Sequence, residues 1–194
     1  MSRIGLIIAL ASLLGGCASV QMMSHVPIST MSRLVSMTMA DIDPEQLRVA
    51  ARLPTALEPR RQGVKVKIDR RTSEGGKRVD EFVLEPVTQA GELLILSKYQ
   101  RAGTRLSVFR LSSADTDRLR RIMIEMAAPS SPSKVKITAG VDACYRSPLG
   151  SAPLPTTTLL RTNESGYFVL AEDLDLRSIV LEADLAAKVP PCVP

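Results

Sequence analysis

The chain of 194 residues contains no tryptophan, one histidine (His25), three cysteines and only 3% aromatic residues. So few rings cannot build a stacking platform for sugars or single-stranded nucleic acid. One histidine and three cysteines argue against a multi-ligand zinc or haem site, and no metal or cofactor is expected. No apolar run reaches 18 residues, which excludes a polytopic membrane protein. There is no Gly-x-Ser-x-Gly nucleophile elbow. His25 lies ahead of the expected domain, so a Ser-His-Asp triad cannot be assembled within it. What the chain does have is 45% hydrophobic and 23% charged residues, enough for a packed core. The length fits one ordinary domain, or at most two small ones.

The N-terminus carries the clearest motif. Arg3 supplies a positive start, and Ile4 to Leu14 is apolar apart from Gly5 and Ser12. As a helix that stretch spans about 16 Å, short of a hydrocarbon core of about 30 Å. Leu14-Gly15-Gly16-Cys17 follows. It resembles the lipobox of bacterial lipoproteins, a leucine three residues before a cysteine with small residues between. The resemblance implies diacylglycerol on the Cys17 sulfur, cleavage before Cys17 and acylation, as by palmitate, of the new amino terminus. Two or three acyl chains suffice for stable anchoring. In the same family an Asp after the cysteine retains the product in the inner membrane. Ala18 stands there instead, which implies an outer-membrane anchor facing the periplasm. Residues 1–16 are thus expected to be a signal peptide, 17–30 a flexible tether, and 31–194 a single globular domain.

Lipidation of Cys17 leaves Cys144 and Cys192. An even pair outside the reducing cytosol is most simply a disulfide. It would close a loop of 48 residues and stabilise the fold by about 4 kcal/mol. A catalytic thiol would need a nearby base, and the only histidine lies in the tether.

Along the rest of the chain, residues 33–39 alternate loosely as a first strand. Asp43 as N-cap, Pro44 and Gln46 predict a helix from Pro44 to Leu53. Gly63 to Asp69 alternates strictly, with Val64, Val66 and Ile68 on one face and Lys65, Lys67 and Asp69 on the other. Residues 73–76 read as a turn, followed by strands over Val79–Val87, Glu92–Tyr99 and Thr104–Leu111. Ser112 and Asp115 open a second helix with a stripe of Leu119, Ile122, Met123 and Met126. Residues 130–133 read as a linker. Further strands are expected from Lys134 towards Cys144, in a hairpin across Asn163-Glu164-Ser165, and over 178–181. The expected fold is mainly β or α+β: about eight antiparallel strands in a sheet or sandwich, with two helices.

Three Asp-x-Asp pairs (Asp41/Asp43, Asp115/Asp117, Asp173/Asp175) lack the further ligands of a calcium loop and read as helix starts and solvated groups. Charge is the remaining feature. Residues 46–78 hold ten basic side chains against three acidic ones. Arg60, Arg61, Lys65, Lys67, Arg70 and Arg71, with Arg118 and Arg121, form a candidate face for anionic head groups or an acidic partner. Simple solvation of a strand face explains the same pattern. The sequence therefore predicts a lipid-anchored, non-enzymatic protein that binds an envelope protein or an anionic envelope component, and no nucleic acid. The rival readings are a module contacting lipid or lipopolysaccharide, and an envelope hydrolase without a histidine-based site.

Overall fold

The computed structural model describes residues 27, 30, 37–71, 76–127, 135–180 and 182–193. The expected signal peptide, Cys17, His25, most of the expected tether and the expected linker at 130–133 lie outside the described residues. So do most of the expected first strand and turn. Of the tether, Thr30 is buried, and its hydroxyl donates to the Val169 carbonyl at 2.6 Å.

Among the described residues eight strands form two antiparallel sheets. They are β1 (Arg48–Pro54), β2 (Leu57–Arg71), β3 (Lys77–Val83), β4 (Glu85–Pro86), β5 (Thr104–Arg110), β6 (Val135–Tyr145), β7 (Pro155–Arg161) and β8 (Phe168–Asp175). The larger sheet has the order β4-β5-β1-β7-β8, the smaller β3-β2-β6. Among the described residues four helices, against the expected two, accompany them: α1 (Ala90–Ile95), α2 (Ser113–Met126), α3 (Leu176–Ile179) and α4 (Glu182–Lys188).

The principal core lies between the sheets. Val64, Val66, Ile68 and Phe82 of the smaller sheet meet Val49, Phe109 and Leu160 of the larger one. Helix α2 adds Leu119, Ile122 and Met126 from its predicted stripe. Its start is also as read: the Ser112 hydroxyl accepts from the Asp115 amide at 3.1 Å.

Strand β1 corrects the predicted helix Pro44–Leu53. Asp43 does nucleate a turn, accepting from the Glu45 amide at 2.9 Å, but no helix follows. The segment is instead the central strand, bonded to β5 on one side and β7 on the other. Ala51 and Leu53 pack into one cluster and Ala50, one step out of phase, into another. A strand buried on both faces shows a continuous apolar run, which short helical spacing mimics. Ala50 and Ala51 are small enough to let packed layers approach from both sides.

The expected strand Glu92–Tyr99 is helix α1 followed by a 3-10 turn, Ser97–Tyr99. Only Leu96 of its apolar run is buried, plugging the outer face of the larger sheet beside Ala50, Val108 and Leu159. The expected strand at 178–181 is also corrected: Leu176–Ile179 is helix α3, started by the Asp175 carboxylate accepting from the Arg177 amide at 3.1 Å. Residues 39–41, at the end of the expected first strand, form a 3-10 turn.

Cys144 and Cys192 are joined by a disulfide, as expected. It fastens the C-terminal segment beside β6, where the Tyr145 amide donates to Pro190 and the Cys192 amide donates to Tyr145.

Candidate functional site

Folding β3 against β2 places two acidic residues opposite the basic strand face. The register sets Lys67 across from Glu81 and Ile68 across from Asp80. Glu81 lies 3.0 Å from both Lys65 and Lys67. Hydrogen bonds from Lys67 and Lys65 hold its carboxyl below the usual range. Asp80 is buried and accepts from the buried Arg70 guanidinium at 2.7 Å. Arg78 and Arg118 approach the same carboxylate at 3.5 and 3.9 Å. Arg118 also stacks over the Phe82 ring, 4.4 Å from its centroid. Half of the candidate face, Lys65, Lys67, Arg70 and Arg118, is therefore an ion-pair network on the smaller sheet and α2. Arg121 stands exposed on α2 away from it, and Arg71 is placed only by its backbone on β2.

Arg60 and Arg61 behave differently. They sit where β2 breaks register between Pro59 and Val64, at a bulge in which Gln62 has a φ of 59°. A bulge re-aims side chains out of the ladder. Gly63 permits it: a Cβ there would stand 2.9 Å from both the Arg60 Cβ and the Asp142 carbonyl oxygen. Both arginines are exposed, and among the described residues neither has an ion-pair partner.

The bulge borders a cleft of about 800 Å³ between the two sheets. Leu84, Val87, Leu93, Leu106, Val108 and Phe109 line its apolar side. Arg60, Arg61 and Arg105 stand at its basic rim. The far wall is the segment Pro190–Val193, held there by the disulfide. A concave apolar surface with a few convergent polar groups is the usual form of a ligand site. Glu58, the carboxylate within the cleft, is engaged by Arg146 at 2.5 Å and Arg105 at 3.8 Å. Glu58, Cys144 and Cys192 come within 4.8 Å of one another, but the two sulfurs are bonded to each other and are not thiolate ligands.

The Asp-x-Asp pairs act structurally. Asp41 closes the turn at Thr38, accepting from its amide at 2.7 Å. Asp115 pairs with Arg118 at 3.4 Å and Asp117 with Arg120 at 2.8 Å. Asp173 accepts from the buried Arg52, and Asp175 caps α3.

A second polar cluster had no signal in the sequence. Glu92 accepts from Arg161 at 2.8 Å and from the Tyr167 hydroxyl at 3.0 Å, with Arg48 at 3.4 Å. Burial alone would raise the Glu92 carboxyl; hydrogen bonds from Arg161 and Tyr167 and two guanidinium charges outweigh it and lower it. Burial, reinforced by Glu92, raises the Tyr167 phenol. These four residues come from three separated segments, so spacing along the chain could not show them. The cluster fixes α1 against β1 and β7, and so positions the Leu93 wall of the cleft.

No protein-family model, curated protein or solved structure matches the chain. Among the described residues no helix is long and apolar enough to cross a membrane.

Proposed function

We propose that this is a lipid-anchored protein on the periplasmic face of a bacterial outer membrane, and that it works by binding rather than catalysis. The N-terminal motif around Cys17 supports the anchor. The domain would recognise an anionic envelope component, and the observation that carries this is the distribution of free charge. Lys65, Lys67 and Arg70 already have carboxylate partners, whereas among the described residues Arg60 and Arg61 at the cleft do not. Arginines without a partner retain the full ability to pair with carboxylate or phosphate. The recognition site is therefore drawn at the cleft rim and not on the sheet face. The apolar lining beside that rim favours a partner with a lipid portion.

Two measurements test this reading. Cys17→Ser is expected to leave unprocessed precursor and to lose outer-membrane fractionation; normal processing and fractionation would contradict the anchor. Binding to an anionic envelope component is expected to weaken steeply as salt is raised to about 0.5 M, where screening becomes short-ranged. Binding indifferent to salt would contradict the arginine rim.

A further inference from the structure

Three consecutive large aliphatics on α1 face water: Leu93 is 40% exposed, Leu94 75% and Ile95 57%. Isolated exposed aliphatics are ordinary, but three in succession on one turn need a reason. The fold does not require them, because Leu96 alone supplies the plug into the sheet.

Their surroundings are mainly positive. Leu93 lines the cleft together with Arg60 and Arg61. Lys98 and Arg101 follow the helix in the chain and are exposed, and among the described residues neither has an ion-pair partner. The nearby carboxylates are turned elsewhere: Glu92 points into the Arg161–Tyr167 cluster, and Glu58 is held by Arg146 and Arg105. Glu85, on β4 opposite Arg110, is the exposed acid of this edge.

We propose that the edge formed by α1 and the β2 bulge docks on an anionic phospholipid leaflet. Leu94 and Ile95 enter the boundary between head groups and acyl chains. Arg60, Arg61, Lys98 and Arg101 meet the phosphates. Apolar insertion combined with cationic flanks is how interfacial elements bind anionic bilayers. Each cation near such a surface contributes about fivefold in partitioning, so four are substantial. The proposal rests on the anchored, anion-binding reading above. From Cys17 to Pro27 the chain can reach at most about 35 Å, so the anchor would keep the domain beside the bilayer. Weak contacts then suffice at high effective concentration.

The test uses the full-length lipidated chain with Leu94→Cys, labelled with an environment-sensitive fluorophore. It is reconstituted into phosphatidylcholine vesicles with or without phosphatidylglycerol, containing acyl chains brominated as quenchers. With Cys17 acylated and Cys144 paired to Cys192, position 94 is the single reactive thiol; wild-type protein that takes up label at Cys17 would refute the anchor itself. The expected result is a blue shift and quenching with phosphatidylglycerol, lost in Arg60→Glu/Arg61→Glu. The same label at Ile124→Cys, an exposed aliphatic on α2, is expected to stay unquenched. Position 94 remaining unquenched with phosphatidylglycerol, or being quenched equally at position 124, would overturn the proposal. Shielding of position 94 that depends on protein concentration and not on lipid would assign the edge to a second copy and overturn it as well.

Discussion

At the scale of single residues, the structure turns on how carboxylates are distributed among cations. Asp80 and Glu81 satisfy Lys65, Lys67 and Arg70, whereas among the described residues Arg60 and Arg61 at the cleft have no ion-pair partner. Glu92 plays the corresponding part on the outer face of the larger sheet, where Arg48, Arg161 and Tyr167 converge on it. Glu92→Gln leaves two guanidiniums facing each other in a half-dry site and is expected to cost about 3 kcal/mol. The pH dependence follows from the direction of each shift. The Glu92 carboxyl is lowered by folding, so its contribution is complete at neutral pH. It shrinks as pH falls below about 4.3 and disappears below the folded-state value. The Tyr167 phenol is raised, so its contribution is complete at neutral pH and shrinks as pH rises above about 10. Urea midpoints measured across pH should show a shallower acid limb for Glu92→Gln and a shallower alkaline limb for Tyr167→Phe. Folding lowers the Glu81 carboxyl as well, through hydrogen bonds from Lys67 and Lys65, so the diagnostic quantity is the difference from the wild-type curve. Limbs that superimpose on wild type would show the cluster to be energetically idle.

At the scale of elements, two segments with similar apolar content took opposite forms. Residues 44–53 read as a helix from the Asp43-Pro44 start and the Leu47, Ala50, Ala51 spacing; pairing on both edges and burial on both faces make Arg48–Pro54 the central strand. Residues 92–99 were legible as a core strand from Leu93-Leu94-Ile95-Leu96; the Glu92 cluster and the Leu96 plug fix them as a short helix instead. In each case the deciding contacts come from distant segments, which local periodicity cannot carry. Where one face is wet and the other dry, the pattern was sufficient: Val64, Val66 and Ile68 and the α2 stripe stand where the periodicity put them, and the turn at Asn163-Glu164-Ser165 marked the hairpin of β7 and β8. The neutralised charge face was not legible: a four-residue turn at 73–76 would set Lys67 opposite Phe82, one residue out of the observed pairing with Glu81. The α1 assignment makes a sharp prediction. Leu94→Ser should change stability by less than about 0.5 kcal/mol, whereas Leu96→Ala should cost about 3 kcal/mol. Equal losses at both positions in chemical denaturation would favour a buried strand. Gly63→Ala tests the bulge: its methyl group meets Arg60 and the Asp142 carbonyl, with an expected cost of about 2 kcal/mol.

At the scale of the whole molecule, two antiparallel sheets enclose one principal core, and a disulfide closes the end where the cleft lies. Replacing Cys144 and Cys192 together by alanine should lower stability by about 4 kcal/mol, since the bridge closes a 48-residue loop. It should also loosen the Pro190–Val193 wall, read as faster amide exchange at Cys192→Ala and Tyr145; unchanged exchange would mean that the backbone bonds hold that wall unaided. The charge count of the sequence pointed to a broad basic stretch, and the fold neutralises its centre at Lys65, Lys67 and Arg70. The most direct test places a photoreactive amino acid at Arg61 and, separately, at Lys67 in living cells. The expected result is covalent adducts with an anionic envelope component from position 61 and none from position 67. Adducts from position 67 alone, or from neither position, would contradict recognition at the cleft.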